Sequence, residues 1–174
     1  MFFFGGPKDV MKKGIESIKK TSEVRVKHKY DIVIASAGGY PKDINLYQAQ
    51  KAITHAALIT KDHGTIILAA ECCEGSGSAQ FERFMSDINS YEDVIKKFNK
   101  IGFQVGPHKA FQIAREAARV DIFLISSLSC SDTARFMLKS ADTVQESCDI
   151  ALKKKPLNKT IAFMPSATNT IPFL

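Results

Sequence analysis

Short apolar runs alternate along the chain with longer stretches whose apolar residues recur at helical spacing. Asp31-Ile32-Val33-Ile34-Ala35 is β-branched and nearly all apolar, the pattern of a strand buried on both faces. Residues 65–70, 121–125 and 160–164 repeat that pattern. Phe2-Phe3-Phe4, ended by Gly5-Gly6-Pro7, reads as a further strand, and residues 24–27 alternate like an edge strand. Between these runs, residues 8–20 place Val10, Met11, Ile15 and Ile18 on one helical stripe. Asp43 is a natural N-cap for a helix reaching about Thr60, with Leu46, Ala49, Ile53 and Ala56 as its core stripe. Helices are also predicted over 78–86, 91–99, 107–119, 131–139 and 142–154; the tail after Pro165 carries no predicted element. Strands alternating with helices predict an α/β fold. The expected architecture is a three-layer sandwich with a mostly parallel central sheet flanked by helices, formed by residues 1–174 as one domain.

Composition narrows the function classes. Hydrophobic residues make up 45% of the 174, too many for a disordered chain. No apolar run approaches the roughly 20 residues a membrane-spanning helix needs, so no membrane partner is expected. The net charge of +6 favours anionic partners, but the lysines sit in scattered pairs without interleaved aromatics, and nucleic acid is not expected either. Cys72 and Cys73 are adjacent while Cys130 and Cys148 stand alone; with no C-x-x-C spacing, no metal site is expected. The lack of a secretory leader and the unpaired look of the thiols point to a reducing, cytoplasmic setting.

In an open α/β sheet, ligands bind beyond the carboxyl ends of the strands. The segments expected there are residues 5–7, 36–41, 71–78, 126–131 and 165–169, all small, polar or Pro-rich. Parallel strands would bring them to one rim. Just beyond Gly38-Gly39, Tyr47 and Lys51 lie four residues apart and share a helix face in the first turns. A phenol beside an ammonium suits an anionic, oxygen-rich ligand such as a carboxylate, and Gln48 adds an amide. The positive end of that helix is expected to favour the same anion. Spacing alone also accommodates a solvated Tyr and Lys. His108, in Gly106-Pro107-His108-Lys109, begins a second helix expected to start at the same rim, as a ligand contact or as plain surface. His55 lies two turns below Tyr47, too far down its helix to join them. The 71–78 loop has the look of an anion cradle but not the spacing of a phosphate-binding motif; small residues buried at a strand end are the simpler reading.

The run 31–36, then Gly38-Gly39-Tyr40-Pro41, Asn45-Leu46-Tyr47-Gln48-Ala49 and Lys51-Ala52, resembles the C-terminal domain of the nickel-dependent lactate racemase family. Gly64-Thr65-Ile66-Ile67, Glu71-Cys72, Glu74-Gly75, Gly77-Ser78 and Gly106-Pro107-His108-Lys109-Ala110 resemble later blocks of that domain. The resemblance implies one part of a two-domain enzyme, an isomerase that inverts a 2-hydroxy acid. The family's chemistry moves a hydride to and from a nickel pincer nucleotide. Its acid/base histidines, cofactor-bearing lysine and nickel-ligating histidine belong to an N-terminal domain, whose motifs this sequence lacks. The resemblance therefore implies no catalytic residue in this chain, no cofactor held by it alone and no activity without the N-terminal half. By matching position, Tyr47, Gln48 and Lys51 contact substrate or cofactor, Lys51 holding the carboxylate; His108 stands where a member of the family carries an aromatic substrate contact.

A reading from another class is a stand-alone α/β module that binds a small anion or nucleotide without catalysis. Under the first reading, a domain that closes on a partner leaves apolar surface when isolated. The rim and the Phe2-Phe3-Phe4 end are the expected surface, with self-association as its consequence.

Overall fold

The computed structural model describes residues 2–154 and 158–174. Its centre is a five-stranded sheet of order β5-β4-β3-β2-β6, parallel at every pairing. The strands are β2 (Tyr30–Ser36), β3 (Thr60–Ala69), β4 (Asp121–Ile125), β5 (Lys139–Ser140) and β6 (Ile161–Met164). Register aligns Val33, Ile66 and Ile122 across the three middle strands. Consecutive residues on these strands are buried in different clusters. Val33, Ala35, Ile66, Leu68, Ile122 and Leu124 face one core, while Ile32, Ile67 and Phe123 face the other. That alternation between two buried faces explains the nearly unbroken apolar runs.

The two outer layers are unequal. On one face, α2 (Leu46–Leu58), α3 (Ala79–Met85), α4 (Tyr91–Ile101) and α5 (Pro107–Ala117) bury Leu46, Ile53, Phe81, Phe84, Val94 and Ile113. On the other, α7 (Val144–Lys153) supplies Cys148 and Ala151 to a much smaller cluster. The β6 end of that face is open, and Phe163 is 72% exposed. A short helix, α6 (Cys130–Arg135), links β4 to β5.

Several expectations are corrected. Phe2-Phe3-Phe4 is not a strand; residues 2–4 lie outside both sheets, since an extended apolar run becomes a strand only where an edge is free to pair with it. The helix α1 (Pro7–Ser22) follows, with no residue buried: Met11 and Ile18 of its apolar stripe face solvent. The expected edge strand forms as β1 (Glu23–Arg25), but its partner is an unexpected strand, β7 (Ile171–Phe173), and the pair stands apart from the main sheet. The cap of α2 is Asn45 rather than Asp43: Asn45 is extended and its side-chain oxygen accepts from the Gln48 N–H at 3.0 Å. The helix predicted to reach Lys139 ends at Arg135, with residues 139–140 forming β5.

No helix among the described residues is long and apolar enough to cross a membrane.

Candidate functional site

Each middle strand ends at the same rim, and the rim loops are tied together by main-chain hydrogen bonds. Ala167 N–H donates to Ser36 O at 2.9 Å, Ser127 N–H to Glu71 O at 2.8 Å and Cys72 N–H to Asp43 O at 2.7 Å. Residues 5–7, which lead into the first turn of α1 rather than follow a strand, are not part of it. The rim thus joins four of the five expected segments.

The 71–78 loop lies against the start of α2. Leu46 N–H donates to Gly75 O at 3.1 Å and Tyr47 N–H to Ser76 O at 3.0 Å. These bonds, with the Asn45 cap, occupy donors that a helix start normally leaves free. The expected anion site on the helix end is therefore already taken by protein carbonyls, and the loop serves as a cap rather than a cradle. Gly77 makes the fit possible: at φ +74°, any Cβ there would overlap the Asn45 side chain. Charge at the rim is left to side chains.

Those side chains come from the first turns of α2 and α5. Tyr47 and Gln48 are half-buried, and Lys51 is exposed one turn further along. The Lys51 ammonium donates to Gln48 Oε1 at 2.6 Å, which holds both polar heads together. His108, in the first turn of α5, meets Tyr47 edge to face, with ring centroids 5.8 Å apart. Phe103 extends the aromatic row on the far side of His108 at 5.3 Å. His108 Nδ1 faces the 104–106 turn, where, according to its tautomer, it accepts from Gly106 N–H or donates to Gln104 O, each at 3.2 Å. Nε2 makes no hydrogen bond among the described residues. Gly106 allows α5 to begin here, because a Cβ would lie 2.7 Å from Gln80 Cβ at the start of α3. His55 turns away from the group and bonds Ala167 O at 2.6 Å.

One residue of this cluster escaped the sequence reading. Lys109 is 8% exposed, donates to Gln50 Oε1 at 2.8 Å and lies 5.1 Å from the centre of the Tyr47 ring. Burial, and then the charge of Lys51, lower its pKa from the ordinary lysine value. The sequence did hold a signal. Lys109, Ile113 and Glu116 fall at helical spacing on a face that also buries Ala110 and Ala117, and a lysine on a core face is out of place.

The cluster thus offers a phenol, an amide, an imidazole and two ammonium groups. That donor set suits an anion carrying hydroxyl or carboxylate oxygens. It does not suit nickel: no group of three or more metal-binding side chains occurs among the described residues. The space under Tyr47, between Leu46, Ser76, Phe81, Lys109 and Ile113, is filled to the exclusion of water. Tyr47, Gln48 and Lys51 form a ledge backed by packed protein.

Residues 25–171 match a protein family described as the lactate racemase C-terminal domain. A lactate racemase of Thermoanaerobacterium thermosaccharolyticum is 40% identical over 95 residues, 55% of this chain and 22% of the relative. A lactate racemase of Lactiplantibacillus plantarum is 27% identical over 173 residues, 97% of this chain and 41% of the relative. The lactate racemase apoprotein structure from T. thermosaccharolyticum superposes with a TM-score of 0.90 at 28% identity, covering 98% of this chain and 42% of that one. A Thermotoga maritima protein at 11% identity shares the fold, with a TM-score of 0.62 over 95% of this chain and 42% of its own. The chain spans less than half the length of the relatives it matches.

Proposed function

The chain belongs to the lactate racemase C-terminal domain family, and from that premise we propose that it is the substrate-side domain of an isomerase inverting a 2-hydroxy acid. The observation that carries the reading is the meeting of Tyr47, Gln48 and Lys51 of α2 with His108 of α5 at the carboxyl ends of the strands. In this reading Lys51 receives the substrate carboxylate. Its bond to Gln48 holds the ammonium in place before the acid arrives. The Tyr47 hydroxyl donates to a substrate oxygen, and His108 walls the side of the acid. These groups bind and orient; none is assigned the bond-breaking step.

Inversion of the α-carbon by hydride transfer needs a hydride acceptor, which amino-acid side chains do not supply, and acid/base groups. We assign both to an N-terminal half, together with the nickel pincer nucleotide that the resemblance implies. The cofactor, when bound, supplies reversible hydride acceptance. The chain alone is expected to be inactive.

The test is activity of the full-length, cofactor-loaded protein against a panel of D- and L-2-hydroxy acids, followed by chiral chromatography. Interconversion of at least one enantiomeric pair is expected, with none by the 174-residue chain alone. A loaded protein that inverts none of them would overturn the reading.

A further inference from the structure

Lys109 is the least conventional charge in the molecule. It is 8% exposed and lies between α2 and α5. An ammonium has three donors, and only the bond to Gln50 Oε1 is formed within the described residues. Gln50 is itself 1% exposed and donates onward to Thr54 Oγ1 at 2.6 Å. Among the described residues no carboxylate pairs with Lys109. Glu82, on the neighbouring α3, is engaged by the Ser76 hydroxyl at 2.6 Å. The charge that acts on Lys109 is that of Lys51, of the same sign. A buried charge without a counter-charge is strongly unfavourable and persists where something offsets it. The Tyr47 ring face offsets part of it.

Resting on the reading above, we propose that Lys109 is a positioning residue for substrate binding. Buried behind the ledge, it clamps the Tyr47 ring and Gln50 and leaves with Lys51 a pair of positive charges that an incoming carboxylate neutralises. Gln50 and Lys51 lie three and four residues after Tyr47, and Thr54 four and three after them, all along one side of α2, so Lys109 inserted from α5 fixes the side of the helix that meets the acid. The acid touches Tyr47 and Lys51; Lys109 acts through them. Its neutralisation should favour the bound acid without contributing to the chemical step.

The experiment compares Lys109→Met and Lys109→Arg with wild type in the full-length, cofactor-loaded protein, using initial rates of racemisation of the acid found active. Rates are normalised to cofactor content. Lys109→Met is expected to raise KM about tenfold or more while kcat changes less than about threefold, the signature of lost binding shared by ground and transition states. Lys109→Arg, which keeps the charge and the donor to Gln50, is expected to recover most of the KM. An unchanged KM in Lys109→Met overturns the proposal. So does an equal fall in kcat for both variants, the result of a purely packing role. A wild-type protein with no racemase activity would instead overturn the functional reading, and this proposal with it.

Discussion

Cys72 and Cys73 are neighbours in sequence with different surroundings. Burial pushes the Cys72 thiol up to about 12, aided by the charges of Asp43, Cys73 and Glu71, and the residue is 1% exposed. Burial likewise raises Cys148, with Asp149 adding to it. Cys73 and Cys130 are exposed. Thiolate is the reactive form, so brief iodoacetamide treatment at pH 8 should alkylate Cys73 and Cys130 and spare Cys72 and Cys148 until the protein is unfolded. Peptide mass spectrometry reads this out, and equal labelling of Cys72 and Cys73 would contradict it. Asp31 offers a second check. The Thr160 N–H and the Lys61 ammonium, bonding at 3.0 and 2.9 Å, together with the Thr160 hydroxyl, outweigh partial burial and hold its carboxyl well below the usual range. A depressed folded pKa stabilises above the unfolded value of about 4 and loses that contribution as pH falls below it. Asp31→Asn should therefore cost about 1–2 kcal/mol at pH 7 and progressively less as pH falls from about 4 toward 2, as measured by urea unfolding. A cost independent of pH would contradict the assignment. Tyr47, Gln48, Lys51 and His108 were legible because helical spacing puts them near a rim. Lys109 was the harder one: its spacing puts it on the apolar face of α5, but only the packing of α5 against α2 shows that it is buried.

The runs that became β2, β3, β4 and β6 were legible, because a strand covered on both faces has little room for polar residues. Elements defined by a distant partner were not. β7 is three residues with Pro172 in the middle, and it exists through pairing with β1, far away in sequence. The start of α2 was misplaced by two residues because Asp43 and Asn45 are both good caps, and the choice depends on where the 71–78 loop docks. That docking makes Gly77 a strong test. Gly77→Ala would force apart the loop and the Asn45 cap and set a non-glycine residue at φ +74°. A loss on the order of 2 kcal/mol in unfolding free energy is expected. Gly75→Ala is the control for φ alone: its φ is also positive, at +69°, but nothing lies within 4 Å of its added Cβ. Equal losses for the two would show that docking against Asn45 contributes little.

At the scale of the molecule, one face of the sheet is thickly covered and the other is closed mainly by α7. Phe2 and Phe4 are more than four-fifths exposed, and α1 turns its apolar residues outward. An apolar groove of about 410 Å³ runs between β6 and the β1–β7 pair, away from the ledge. Such surface favours association. The isolated 174-residue chain should self-associate with rising concentration in analytical ultracentrifugation; a monomer throughout would contradict this. The proposed function makes this ledge one half of a larger enzyme, and its central claim is that Lys51 grips a carboxylate. The most direct measurement of that grip is kcat/KM for racemisation by the full-length, cofactor-loaded protein carrying Lys51→Ala, with Lys61→Ala at the opposite end of β3 as the control. Loss of a charge-assisted bond to substrate predicts a fall of about 100-fold for Lys51→Ala, mostly in KM, and little change in the control. A Lys51→Ala enzyme as efficient as wild type would contradict the account.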